Sequence, residues 1–185
     1  MDRGAPQDAT IAMRPVPALT TARLVLRGHT PADLAASAAM WADPTVVRHI
    51  GGKPSRLEES WSRLLRYGGL WSLLGYGYWL VEERGSGAFV GEVGFADFRR
   101  ELEPGFAGAS EAGWVLTAAA RGRGFAGEAM AEALRWAEAH LPSRRTVCMI
   151  APENTASLRL ARACGYAEYA RATYRGSPTL LLERA

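Results

Sequence analysis

Seven consecutive residues, Arg121-Gly122-Arg123-Gly124-Phe125-Ala126-Gly127, have the composition and spacing to hold an anion. Glycines let backbone N–H groups approach a ligand closely, and a helix N-terminus adds about half a positive charge. An apolar stretch, Trp114-Val115-Leu116, lies upstream and an alanine-rich helical pattern follows, so the glycines mark a strand-to-helix junction. The first expectation is a phosphate-bearing ligand. Gly122 to Gly127 also match G-x-G-x-x-G. A dinucleotide fold needs that motif after its first strand, with an acidic ribose ligand about 20 residues on. Here the motif comes late, and Glu153 lies rather too far along. A P-loop is excluded because no lysine lies near these glycines.

A frame of strands and helices must position this junction. Arg23 to Arg27 reads as a short strand, followed by a helix capped by Thr30 with Pro31 at its first position. A second short helix can begin at Asp43-Pro44, and Ser55 with Glu58 and Glu59 opens an amphipathic one. Tyr76 to Glu82 and Ala88 to Phe95 form a predicted hairpin across Arg84-Gly85-Ser86-Gly87. Glu111 to Thr117 and Thr146 to Ile150 flank the helix that ends near His140, which predicts parallel neighbours in a right-handed crossover. A helix from Glu153-Asn154 to Gly165 and two more strands complete an α+β, or mixed α/β, single domain. Residues 1–19, with Pro6, Pro15 and Pro17, read as a flexible leader, and residues 20–185 as the domain.

Composition narrows the function classes. The net charge of +3 is too small to argue for nucleic acid, and Lys53 is the only lysine, so any lysine-dependent chemistry rests on it alone. Cys148 and Cys164 have no metal-ligand spacing and read as free thiols of a reducing, cytoplasmic compartment. His29, His49 and His140 are scattered and read as structural. No membrane span, signal segment or metal site is expected.

Read as Arg121-x-x-Gly124-x-Ala126, the glycine loop resembles the R/Q-x-x-G-x-G/A pyrophosphate loop of the GCN5-related N-acetyltransferases (GNAT). Four further segments resemble that family in order, and specifically its ribosomal-protein (RimJ/RimL-like) branch. They are Thr21 to Arg27, Val90-Gly91-Glu92-Val93-Gly94-Phe95, Glu111-Ala112-Gly113-Trp114-Val115-Leu116, and Asn154-Thr155-Ala156-Ser157 with Gly165-Tyr166. The resemblance implies a central, mostly antiparallel sheet flanked by helices, whose fourth and fifth strands are parallel and splayed. It also implies acetyl-CoA as cosubstrate, direct transfer to a small-molecule or peptide amine, and no metal.

On matched positions, the resemblance assigns the pantetheine arm to main-chain groups of Trp114, Val115 and Leu116. The pyrophosphate falls to amides of the loop Arg121, Gly122, Arg123, Gly124, Phe125, Ala126 and Gly127, and Asn154 becomes a ligand of the arm or a helix cap. Glu111 is the first candidate for general base and Glu92 the second. Many members carry a tyrosine on the helix after the asparagine; Ala161 stands there in this chain, and Ser157 is the substitute donor to the leaving thiolate. Trp61, Trp71, Tyr76, Tyr78 and Trp79 either wall the acceptor cleft or fill the core. The branch is compatible with a homodimer. Two alternatives stay open at this point: a CoA-binding regulatory module with little turnover, and a dinucleotide-dependent oxidoreductase.

Overall fold

The computed structural model describes residues 15–185. Eight strands form one sheet in the order β1-β2-β3-β4-β5-β6-β8-β7. They are β1 (Leu19–Thr20), β2 (Leu24–Arg27), β3 (Tyr78–Glu83), β4 (Phe89–Ala96), β5 (Ser110–Leu116), β6 (Thr146–Ile150), β7 (Ala167–Tyr174) and β8 (Ser177–Arg184). Helices α1 (Leu34–Ala42), α2 (Pro44–Val47) and α3 (Leu57–Leu74) lie between β2 and β3. Helix α4 (Phe125–His140) joins β5 to β6, and α5 (Thr155–Ala163) joins β6 to β7.

Local chemistry sets these boundaries. Asp43 caps α2 by accepting from the Thr45 amide, and Pro44 occupies the first helical position. Glu59 accepts from the Arg56 amide at 2.6 Å at the start of α3, and left-handed Gly75 ends that helix. Helix α4 turns Phe125, Ala129, Met130, Ala133 and Ala137 inward at helical spacing.

The principal core lies between the sheet and α4 and α5. Leu24, Leu26, Trp79, Val93, Phe95, Met130 and Leu182 are all nearly or fully buried there. Trp71 at the end of α3 reaches the same core, packing edge-on against Trp79 and Trp136. Two smaller clusters lie on the other face: Met40, Trp41, Val46, Val47 and Val115 under α1 and α2, and Tyr67, Leu70, Tyr78 and Ala96 under α3.

Residues 1–14 of the expected leader lie outside the described residues. Its remainder is held: Val16 and Leu19 pack on the main core, and the Pro17 carbonyl accepts from the Trp79 indole at 2.8 Å. Thr20 and Leu19 also pair with Val25 and Leu26, a two-residue strand that the sequence reading did not contain.

The relation that matters for function is between β5 and β6. Their parallel ladder consists of Ser110–Thr146 and Glu111–Val147 alone. From Ala112 to Leu116 and from Cys148 to Ile150 the two strands part, while β5 stays paired with β4 and β6 with β8. A fork opens in the middle of the sheet.

Candidate active site

The glycine run stands at the open end of this fork. After β5, a 3-10 turn (Ala118–Ala120) leads to Gly122 and Gly124, both in left-handed backbone at φ 74° and 78°, conformations that disfavour other residues. The first loop-to-helix amide bonded within the chain is that of Glu128, to the Gly124 carbonyl. The amides from Gly122 to Gly127 donate to no group among the described residues. Six successive free N–H groups at the start of a 16-residue helix make an anion nest. A side chain at Gly122 would point into open space, so the loop's backbone is bare on its outer face.

The side chains of this loop are turned to structural work. Arg121 donates to the Thr45 carbonyl at 3.0 Å, which ties the loop to α2. Arg123 pairs with Glu83 at 2.5 Å and stacks on Phe125, whose own ring is buried in the core. Arg23 donates to the Arg123 carbonyl and grips Glu128. Ala126 and Gly127 contribute only main chain, with Gly127 facing Leu160 of α5.

Across the fork, Asn154 caps α5 by accepting from the Ser157 amide at 3.1 Å, so its side-chain NH₂ remains available as a donor. Ser157 lies in the first turn of α5. Its Oγ accepts from the Trp114 indole at 3.2 Å, so its own hydroxyl proton has no protein acceptor among the described residues. Trp114 and Leu116 face the α4–α5 side, and Val115 faces α1 and α2. Ala161 is fully buried and offers no polar atom.

Strand register distributes the other candidates over the opposite face. Three cross-strand rows run from β3 or β4 to β5: Leu80–Glu92–Val115, Tyr78–Gly94–Gly113, and Ala96–Glu111. Glu111 stands at the last paired position before the fork, and Arg100 holds both of its oxygens at 2.5 and 2.7 Å. The guanidinium is itself packed between Phe98 and Tyr174, at 4.9 and 5.0 Å from the ring centroids, and donates to the Tyr174 hydroxyl.

Glu92 differs from expectation. It is wholly enclosed, accepting from Ser37 at 2.6 Å, Trp41 at 3.0 Å and Tyr67 at 3.0 Å. His29 Nε2 stands 3.6 Å from the same carboxylate, an electrostatic contact too long for a hydrogen bond. Burial alone would raise the Glu92 carboxyl; His29 and the donors from Ser37 and Trp41 outweigh it and hold the group below the usual range. Closed off in this way, Glu92 anchors α1 and α3 to the sheet and is not placed to take a proton from a substrate. The aromatic residues divide as well: Trp71, Tyr76, Tyr78 and Trp79 are buried, Trp61 is exposed, and among them Tyr78 lies across the face beside the fork.

Sequence reasoning missed Arg100, which sits in a loop of mixed charge, and the donors to Glu92, which come from residues 25 to 55 positions away. Among the described residues, no group of three His, Cys, Asp or Glu is arranged to hold a metal ion. No helix there is long and apolar enough to cross a membrane. The dinucleotide alternative is overturned, because the glycine loop follows the fifth strand of a sheet whose only parallel pair among the described residues is β5 with β6.

Comparison with known proteins gives the same arrangement a family. Residues 23–167 match the acetyltransferase (GNAT) domain. A protein of the GnaT acetyltransferase family from Bordetella pertussis is 34% identical, with 91% of this chain and 99% of that one covered at a TM-score of 0.80. An acetyltransferase from Agrobacterium tumefaciens is 25% identical over 92% of this chain and 95% of its own, also at 0.80. The spermidine N-acetyltransferase from Vibrio cholerae, solved with CoA and spermine, shares the fold at 16% identity and a TM-score of 0.70, covering 89% and 96%. With a forked sheet, a free amide nest at its mouth and a domain match spanning most of its length, the chain belongs to the GNAT acetyltransferase family.

Proposed function

We propose that this acetyltransferase moves the acetyl group of acetyl-CoA directly onto a primary amine, either a peptide N-terminus or a small-molecule amine. One observation carries the reading: the six free amides of Gly122–Gly127 adjoin a stretch of β5 that has left its parallel neighbour. A diphosphate fits the first feature, and an extended chain with amide groups fits the second. When bound, acetyl-CoA supplies an activated thioester.

The chain's own groups then have separable tasks. The nest and the α4 dipole hold the diphosphate. Main-chain groups of Trp114, Val115 and Leu116 align the pantetheine arm, with the Asn154 side chain as a further donor. An N–H of this stretch polarises the acetyl carbonyl, a contribution of roughly 10²–10³ in rate for such donors. The Ser157 hydroxyl donates to the leaving sulfur. Glu111, at the root of the fork, is the carboxylate proposed to receive the proton the amine gives up.

Because Arg100 occupies both Glu111 oxygens, the site favours amines that need little help to become neutral. An α-amine with a pKa near 7.8 lies within about 0.5 kcal/mol of its neutral form at pH 7.5, whereas a lysine-like amine lies about 4 kcal/mol away. The spermidine acetyltransferase that shares the fold keeps polyamines in the comparison. The test is thiol release from acetyl-CoA with N-terminal peptides, polyamines and aminoglycosides side by side. Release that depends on an amine supports the reading, and amine-independent hydrolysis or no release with any class refutes it.

A further inference from the structure

The carboxylates and the serine leave one requirement unmet, a group that holds the acceptor nitrogen beside the fork. The fork has two faces. On one face Trp114 bridges to Ser157 of α5. On the other, Gly113 stands partly open in the stretch where β5 has left β6, and the ring of Tyr78 ends directly above it.

That position is unusual, because Tyr78 belongs to β3 and β4 lies between β3 and β5. The register explains it. Tyr78 pairs with Gly94, and Gly94 with Gly113, so the ring crosses β4 where there is no side chain and its oxygen overhangs β5. A Cβ at Gly113 would fall 1.9 Å from Tyr78 Oη and 3.0 Å from Cζ, so only glycine admits the hydroxyl there. The ring is fixed by stacking on Tyr67 at 4.7 Å between centroids.

The hydroxyl is also uncommitted. Tyr67 donates to Glu92, Tyr166 is bonded to Thr146, and Tyr174 accepts from Arg100. Tyr78 Oη has no such partner among the described residues. Along the same face, Glu111 lies one row to one side and Val115 one row to the other.

We infer that Tyr78 Oη is the group that positions the acceptor amine over the fork. The inference rests on the acetyl-transfer reading. The incoming amine donates an N–H to Oη, which leaves the nitrogen lone pair free for the carbonyl carbon, and the phenol keeps its own proton throughout. Burial and the charge of Glu111 push the phenol far above its ordinary pKa, so it serves as a neutral hydroxyl over the working pH range. Tyr78 is therefore a substrate-positioning residue, neither base nor nucleophile.

The test compares wild type with Tyr78→Phe, which keeps the ring and its stack and removes the oxygen. The expected result is a fall of about tenfold or more in kcat/KM for the amine. The KM for acetyl-CoA and the melting temperature should stay close to wild type. Equal kcat/KM for the amine in both proteins overturns the inference while leaving the acetyl-transfer reading intact. If the wild type turns over none of the three amine classes, that reading fails on its own. Calorimetric titration of the CoA-loaded protein with the same amines then decides the contact: binding weakened in Tyr78→Phe supports it, and equal or absent binding overturns it. Gly113→Ala supplies a second line. Its severe clash is with Oη, whereas Cζ at 3.0 Å is only tight, so Tyr78→Phe should recover most of the lost melting temperature in the double variant, and no recovery removes the geometric premise.

Discussion

The indole N–H of Trp114 donates to Ser157 Oγ at 3.2 Å, linking β5 to α5 across the fork. The serine oxygen is thereby an acceptor on one side and free to donate on the other. Ser157→Ala should lower kcat by about a hundredfold, the low end for loss of a proton donor, with acetyl-CoA affinity by calorimetry nearly unchanged. Trp114→Phe should move kcat in the same direction and by less. Wild-type kcat in Ser157→Ala would leave the serine with its structural bond to Trp114 alone.

The glycine loop makes a second prediction. Gly124 holds φ 78° at the N-cap of α4. Gly124→Asp adds a negative charge at the nest, in a left-handed backbone region that aspartate and asparagine enter more readily than most residues. Gly124→Asn adds a side chain of similar size that tolerates this backbone region. Acetyl-CoA binding should be lost in the aspartate variant and only weakened in the asparagine one. Equal affinities would mean that charge at this turn is immaterial.

Arg100 and Glu111 form a third case. Glu111→Gln leaves a mostly enclosed guanidinium without its counter-charge, an arrangement that costs about 3–5 kcal/mol when a buried pair is broken. Arg100→Met with Glu111→Gln should recover much of the lost melting temperature. A base role for Glu111 is read separately from the pH dependence of kcat. If the double variant is stable and its profile from pH 6 to 9 matches wild type, Glu111 takes no proton.

Acid should weaken the fold in a defined window. Arg27 holds Asp33 in a two-point ion pair, and that hydrogen bonding lowers the carboxyl from 3.8 to about 2. A depressed folded-state pKa means stability that is complete above pH 3.8 and lost as pH falls from there toward 2. Glu92 acts in the same direction, because its carboxyl is also held below the usual range. Denaturant midpoints should fall below pH 4.5, and less so in Asp33→Asn, whose group does not titrate. Glu92→Ala should cost about 3 kcal/mol or more at neutral pH by leaving the Ser37, Trp41 and Tyr67 donors unsatisfied.

The parts of this site that were legible in the chain are those made of main chain. Glycines at 122, 124 and 127 declare a bare backbone whatever surrounds them, and the strand–helix–strand spacing from Glu111 to Ile150 declares a parallel pair. The side-chain assignments were less legible for physical reasons. Strand β4 is buried on both faces along nearly its whole length, so it shows no alternation from which to place Glu92 inside or out. Arg100 stands among Arg99, Glu101 and Glu103, and only the folded loop shows which charge meets Glu111. Strand β1 escaped notice because two residues carry no periodicity; pairing with β2 creates it.

A sheet that parts in its own middle has given up ladder bonds that a neighbouring strand would otherwise make. On the proposed reading, the missing rung is filled by a substrate that can behave as polypeptide, which the amides of a pantetheine arm allow. Cosubstrate would then be a temporary member of the fold as well as a reactant. At 100 times its dissociation constant it adds about 2.7 kcal/mol to folding stability, so a melting curve should register its arrival before any amine is present.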